Sequence, residues 1–236
     1  MQKVINVEDL DTPIVIARRK GTRNIKLSVK SDGSLRVSVS FGVPEVVALN
    51  FVKQKADWIR MHVKPQQILK NGDRIGKSHV LQIVTNLQSN TIRTRLRGNT
   101  AVITMPPNTL HKSPEVQRAV RKVAERALAL EAENLLPQRL EMIAAKHKIN
   151  YRSASTRKLK SRWGSCDNRH NIVLNTYLMQ VDWSLIDYVI VHELAHISHP
   201  HHQPAFWQEV ERMMPDWKNR RKQLKAMRTS VLPTIL

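Results

Sequence analysis

Apolar and polar residues alternate with a period of two through residues 13 to 40: Ile14 and Ile16, then Ile25, Leu27 and Val29, then Leu35, Val37 and Val39. With Ser31-Asp32-Gly33 between the last two runs, this predicts a β-hairpin with a glycine-containing loop. After Pro44 the period lengthens. Val46, Leu49, Val52, Ala56 and Ile59 recur at helical spacing, with Phe51 and Trp58 beside them, and the helix ends before Pro65. Residues 71 to 105 return to short strands around Val80 to Ile83, Ile92 to Leu96 and Ala101 to Met105, and Pro106-Pro107 closes them.

From Pro114 the apolar residues Val116, Val120, Val123, Ala127, Leu130 and Leu140 predict one long helix to about His147, which Pro137 should kink or interrupt. Ser155 to Leu178 reads as strands around a tight Trp163-Gly164-Ser165 turn, with Ile172, Val173 and Leu174 as a buried run. Asp182 is placed to cap a helix from Trp183 to about Ser198, which Pro200 stops. A further helix from Pro204 to Met214 and a basic amphipathic one from Asp216 complete the pattern. The fold class is α+β, with a β-rich region carrying one helix over residues 1–110 and a mainly helical domain over 111–236.

The chemistry concentrates in the third-last helix. His192-Glu193-Leu194-Ala195-His196 is an H-E-x-x-H motif, followed by His199, His201 and His202. On a helix His192 and His196 stand one turn plus about 40° apart, so both imidazoles leave one face and can serve as two zinc ligands. Glu193 projects beside them, where its carboxylate reaches a water rather than the metal. A hydrolytic zinc needs a third protein ligand, and His199, His201 and His202 are the candidates. The His199 Cα would lie about 10 Å along the helix from that of His192, whereas the Pro200 break lets the chain turn His202 under the metal, so His202 is preferred and His199 comes second. The expected reaction has zinc polarising a carbonyl and acidifying water, with Glu193 as the general base. For the oxyanion, Tyr177, Tyr188 and Arg162 all remain open.

Charge adds a second theme. The formal net charge is +20, with the excess in both halves of the chain. Three basic groups stand out: Arg18, Arg19, Lys20, Arg23, Lys26 and Lys30; Arg152, Arg157, Lys158, Lys160 and Arg162; and Lys218, Arg220, Arg221, Lys222, Lys225 and Arg228. They predict weak, salt-dependent, sequence-independent contact with nucleic-acid phosphates, and an aromatic content of 5% disfavours stacking on bases. The single cysteine, Cys166, forms no intramolecular disulfide and reads as a small core residue. With no secretory order at the N-terminus and no long apolar run, the expectation is a cytoplasmic protein without a membrane partner.

The run H-E-L-A-H-I-S-H-P-H-H-Q-P-A-F-W from His192 to Trp207, with Arg162-Trp163-Gly164-Ser165-Cys166 and Ile172 to Leu178, closely resembles the YgjP-like metallopeptidases, relatives of the SprT-like DNA-repair proteases. Arg18 to Trp58 and Met214-Pro215-Asp216-Trp217-Lys218 through Arg221 extend the likeness over roughly residues 15 to 228. The resemblance implies a zincin-like domain with its active-site helix beside a small sheet, and a third histidine ten positions after the first, which is His202. The chain departs from the usual pattern at His201, where a polar non-ligand is more common. In this likeness Ile172 to Leu178 would be the edge strand that holds an extended peptide.

The function expected is that of a zinc metalloendopeptidase with ligands His192, His196 and His202, acting on protein or peptide, including proteins on nucleic acid. Two alternatives differ in class: a metal-dependent hydrolase of a phosphorylated small molecule such as a nucleotide, and a nucleic-acid-binding module with a structural zinc. Glu193 argues against the last, since a structural site needs no base.

Overall fold

A computed structural model of the chain describes residues 2–7, 10–19, 21, 24–29, 35–62 and 68–227. It divides into two compact units, one of residues 1–67 with 232–236 and one of residues 68–231. The division expected at 110/111 instead lies inside the second unit, so the strands before Pro106-Pro107 group with the helices that follow.

The first unit holds β1 (Gln2–Val7), β2 (Leu10–Arg19), β3 (Lys26–Val29), β4 (Leu35–Ser40), α1 (Glu45–Gln54) and α2 (Ala56–His62). The strands form one sheet in the order β1-β2-β4-β3. β3 and β4 pair antiparallel with Leu27 opposite Val37, as the alternation predicts, while β2 joins β4 in parallel. The predicted Ser31-Asp32-Gly33 turn, together with Lys20, Arg23, Lys30, Pro65 and Arg228, lies outside the described residues. Period-two placement sends Leu35, Val37 and Val39 into a core with Ile14, Ile16, Ala48, Val52 and Ile59. Arg18 donates to the Phe41 and Val43 carbonyls, so this member of the first basic group secures a turn.

The second unit contains β5 (Val80–Thr85), β6 (Arg93–Arg97), β7 (Thr100–Met105), α3 (Pro114–His147), β8 (Ser153–Arg157), β9 (Gly164–Cys166), β10 (Asn171–Asn175), a 3-10 turn (Thr176–Gln180), α4 (Trp183–Ser198), α5 (Pro204–Met213) and α6 (Trp217–Met227). α3 is the spine. It packs on β6 and β7, and also on β8, the 3-10 turn and α4. Ser113 caps its start by accepting from the Val116 N–H, and Lys148 ends it in a left-handed conformation. Of the kink or interruption expected at Pro137, the interruption does not occur, since α3 runs through it. Ala132, Leu136 and Leu140 are fully buried on either side of it, and that packing outweighs a proline cost of about 3 kcal/mol.

Two three-stranded sheets complete the unit, in the orders β5-β7-β6 and β8-β10-β9. The second corrects two expectations. Ile172 to Leu178 is not an edge strand: β10 is central, parallel to β8 and antiparallel to β9, and the chain leaves it for the 3-10 turn. Paired on both sides, it buries Ile172 and Leu174. Trp163-Gly164-Ser165 is not a tight turn either, because Gly164 and Ser165 open the edge strand β9. Among the described residues, no helix is long and apolar enough to cross a membrane.

Candidate active site

α4 is apolar on nearly every side, which makes it an interior helix rather than an amphipathic surface one. It lies against α3, α5, α6 and β9. Its last turn ends where Pro200 forbids continuation, and the His199 N–H closes on the Ala195 carbonyl at 3.0 Å. Beyond that break the chain turns back, and Pro204 opens α5.

The turn brings His202 beside the helix. One ligand nitrogen from each of His192, His196 and His202 falls in a cluster whose members all lie within 4.8 Å of one another. The Nε2 atoms of His192 and His202 are 3.0 Å apart. A tetrahedral zinc with bonds of 2.0–2.1 Å holds its nitrogens about 3.3 Å apart, so the donor set fits one such ion after a small ring movement. His196 Nδ1 contacts the His199 carbonyl at 3.3 Å, and donation there leaves Nε2 free for a metal. His199 thus serves through its backbone, and neither its ring nor that of exposed His201 joins the cluster.

Phe206, fully buried on α5, wedges the three rings with centroids 4.9, 4.6 and 4.7 Å from those of His192, His196 and His202. Trp207 stacks on His202 at 5.5 Å. Burial first, and then the neighbouring imidazoles, push His192 down to about 3. The same desolvation lowers His196 and His202. All three are therefore held neutral, the form that binds metal.

Glu193 is 5% exposed and faces β9. A Cβ on Gly164 would stand 2.7 Å from its Oε1, so the absent side chain is what admits the carboxylate. Burial pushes Glu193 up to about 8, opposed only in part by the Arg162 charge and a Cys166 N–H that donates to it. Asn175 donates to the Trp163 carbonyl and Asp167 to the Asn171 carbonyl. The alternate residues Gly164 and Cys166 therefore turn their main-chain groups away from β10, toward the side where Glu193 lies.

These groups line a cleft of about 1100 Å³. Of the three oxyanion candidates, Tyr188 and Arg162 line it, while Tyr177 does not and sits under Lys158. Cys166 corrects the expectation of a core residue: it is half-buried in the cleft wall, its thiol pushed up to about 11 by burial and then by the Glu193 and Asp167 charges. From the basic groups, Arg162, Lys218, Arg221, Lys222 and Lys225 all face this cleft.

A second buried carboxylate escaped the sequence reading. Glu131, 3% exposed on α3, accepts from the N–H groups of Lys77, Ser78 and His79, from Ser78 Oγ, and sits 2.7 Å from His79 Nδ1. The available signal was an acid at a core position, four residues after buried Ala127 on the apolar stripe of a long helix.

A family model described as "YgjP-like, metallopeptidase domain" matches residues 23–227. No curated protein matches the sequence. Among solved structures, the chain is similar to the metallopeptidase zymogen abylysin of Pyrococcus abyssi, with 21% identity and a TM-score of 0.36, over 39% of this chain and 93% of that one. It is likewise similar to the metallopeptidase zymogen jannalysin of Methanocaldococcus jannaschii, with 19% identity and a TM-score of 0.34, over 39% of this chain and 94% of that one.

Proposed function

The chain belongs to the YgjP-like metallopeptidase family and is a metal-dependent peptidase; from that premise we propose that its ion is zinc, held by His192, His196 and His202, and that Glu193 is its general base. The observation that carries this reading is the convergence of three neutral imidazoles and one buried carboxylate on a single cleft. When bound, zinc supplies a Lewis acid that polarises the scissile carbonyl and acidifies a water toward a pKa of about 7.

The side chains do the rest. Glu193, which a cation held by the three imidazoles would favour in its ionised form, would take a proton from water on its carboxylate and return it to the leaving amine nitrogen. Gly164 and the Cys166 carbonyl, turned away from β10, are placed to pair with an extended peptide and hold it along the site, while the Cys166 N–H stays with Glu193. That role falls to β9, not to β10. Phe206 against all three imidazoles, and Trp207 against His192 and His202, hold the rings in place, so little reorganisation would accompany metal binding.

Zinc-loaded protein is to be incubated with an unfolded protein, a DNA-bound protein and a nucleotide panel. Cleavage of the unfolded protein that stops on chelation and returns with zinc supports the reading. Nucleotide hydrolysis without any proteolysis would transfer the site to phosphorylated small molecules. His202→Ala should lose zinc, whereas His199→Ala and His201→Ala keep it.

Contact with nucleic acid rests on a separate feature. Arg93, Arg95 and Arg97 are exposed on one side of β6, and strand spacing sets them about 7 Å apart, close to the phosphate repeat of a single strand. Fluorescence anisotropy with labelled DNA should show an affinity that falls with salt at a log–log slope of about −2 to −3. Salt-independent binding, or binding unchanged by neutralising the three arginines, would remove this partner.

A further inference from the structure

Helix α6 has a cationic stripe that the hydrolytic reaction does not require. Lys218, Arg221, Lys222 and Lys225 follow the i, i+3, i+4, i+7 spacing of one helical face, and all four line the cleft. Trp217 and Leu224 bury the helix's apolar side. Arg162 faces the same space from beside β9, and the acids there are already engaged: Glu193 is buried against Gly164, and Asp167 accepts from the Arg169 and Asn171 N–H groups.

Arg221 is the placed member of the stripe. Its guanidinium carbon lies 4.5 Å from the Trp207 ring centre and 6.0 Å from that of Trp217, and the two indoles stack at 4.6 Å. Trp207 in turn stacks on His202. Arg221 is therefore one indole away from the metal-binding set, within about 10 Å of the His202 ring, a span of three extended residues. Lys218 reaches Glu211 at 3.7 Å, but among the described residues no carboxylate pairs with Arg221, Lys222 or Lys225. An arginine held by aromatic faces and left without an anion is prepared to grip a carboxylate with both arms of its fork.

We infer that Arg221, supported by the lysines of the α6 stripe, binds a carboxylate of the peptide within about three residues of the scissile bond, so that the enzyme selects acidic substrates. The inference rests on the peptidase reading of the site. The carboxylate is either an Asp or Glu side chain or the peptide's own C-terminus. A nucleic-acid strand suits this wall less well. Trp217 is 6% exposed, and Trp207 is covered by His202, Trp217 and Arg221, so neither indole offers a free face to a base.

The test uses peptides sharing one scissile sequence: Asp or Glu at flanking positions, their Asn or Gln counterparts, and free-acid against amidated C-termini. kcat/KM is read with the zinc-loaded enzyme, and Kd by anisotropy with zinc-loaded Glu193→Gln. The acid form should be preferred about tenfold or more in both assays, and the set that carries the preference separates side chain from C-terminus. Arg221→Glu should bring the acid-to-amide ratio to one or below, while Lys146→Gln, an exposed charge loss away from the cleft, should leave it unchanged. An acid-to-amide ratio near one, or a ratio untouched by Arg221→Glu, overturns the inference while the peptidase reading stands. Absence of all peptide cleavage would instead overturn the peptidase reading, and the binding ratio would still decide the role of Arg221. A labelled single-stranded DNA that binds through Arg221 where acidic peptides do not would also overturn it.

Discussion

Two carboxylates, Glu131 on α3 and Glu193 on α4, are almost equally buried, at 3% and 5% exposure, yet the protein treats them in opposite ways. Each occupies the space a glycine leaves open: a Cβ on Gly76 would stand 2.1 Å from Glu131 Oε2, and one on Gly164 would stand 2.7 Å from Glu193 Oε1. The difference is in donors and in depth, for Glu193 lies deeper among protein atoms and is desolvated more strongly than Glu131. Burial pushes the Glu131 carboxyl up, but His79 and the N–H groups of Lys77, Ser78 and His79 outweigh it and hold the group below the usual carboxylate range. Glu193 has a single N–H donor, from Cys166, and burial wins, pushing it up to about 8. A saturated carboxylate fastens a loop to a helix. An undersupplied one beside three imidazoles has lone pairs left over, as the proposed general base requires.

Removing the saturated carboxylate should have the largest effect on stability. Glu131→Ala strands three N–H donors, that of His79 buried and those of Lys77 and Ser78 partly so, and should cost about 3 kcal/mol in urea unfolding, with turnover per folded, zinc-loaded molecule unchanged. A loss below 1 kcal/mol would mean the loop does not depend on it. At the other glycine, Gly164→Ala should displace the Glu193 carboxylate and lower kcat/KM about 10²-fold with zinc retained. Turnover within twofold of the parent would show that β9 does not fix the base. Gly76→Ala should fall below both, costing about 2 kcal/mol of stability through the steric conflict with Glu131 and leaving kcat untouched.

The smallest effect is in pH. Because the folded Glu131 pKa is lowered, its stabilisation is fully present above the unfolded value of about 4.3 and is lost as pH falls through the lower folded one. The stability difference between the parent and Glu131→Gln should therefore be flat above about pH 5 and shrink below about pH 4. A difference that instead grows on acidification would reverse the assignment.

Local rules carried the sequence reading where neighbours in the chain decide the outcome. Pro200 sets the end of α4, the H-E-x-x-H spacing puts two imidazoles and a carboxylate on one helix, and the period-two runs give the β3–β4 pairing. The reading failed where distant segments decide. Gly164 looked like a turn residue because its partner, Glu193, is 29 positions away and shows only in space. The family likeness placed the edge strand at β10, because nothing in the sequence reveals that β8 pairs on its far side. Pro137 looked like a break because proline cost is local and the packing that overrides it is not. Glu131 was hidden inside an otherwise ordinary apolar stripe.

The contrast between the two carboxylates, and with it the assignment of the active site, is tested most directly by the turnover of zinc-loaded Glu193→Gln on an unfolded protein substrate at measured zinc occupancy. The account predicts zinc bound as in the parent, unfolding unchanged or slightly later, and hydrolysis reduced by about 10³-fold or more. Hydrolysis at the parent rate in a zinc-loaded Glu193→Gln protein would contradict it.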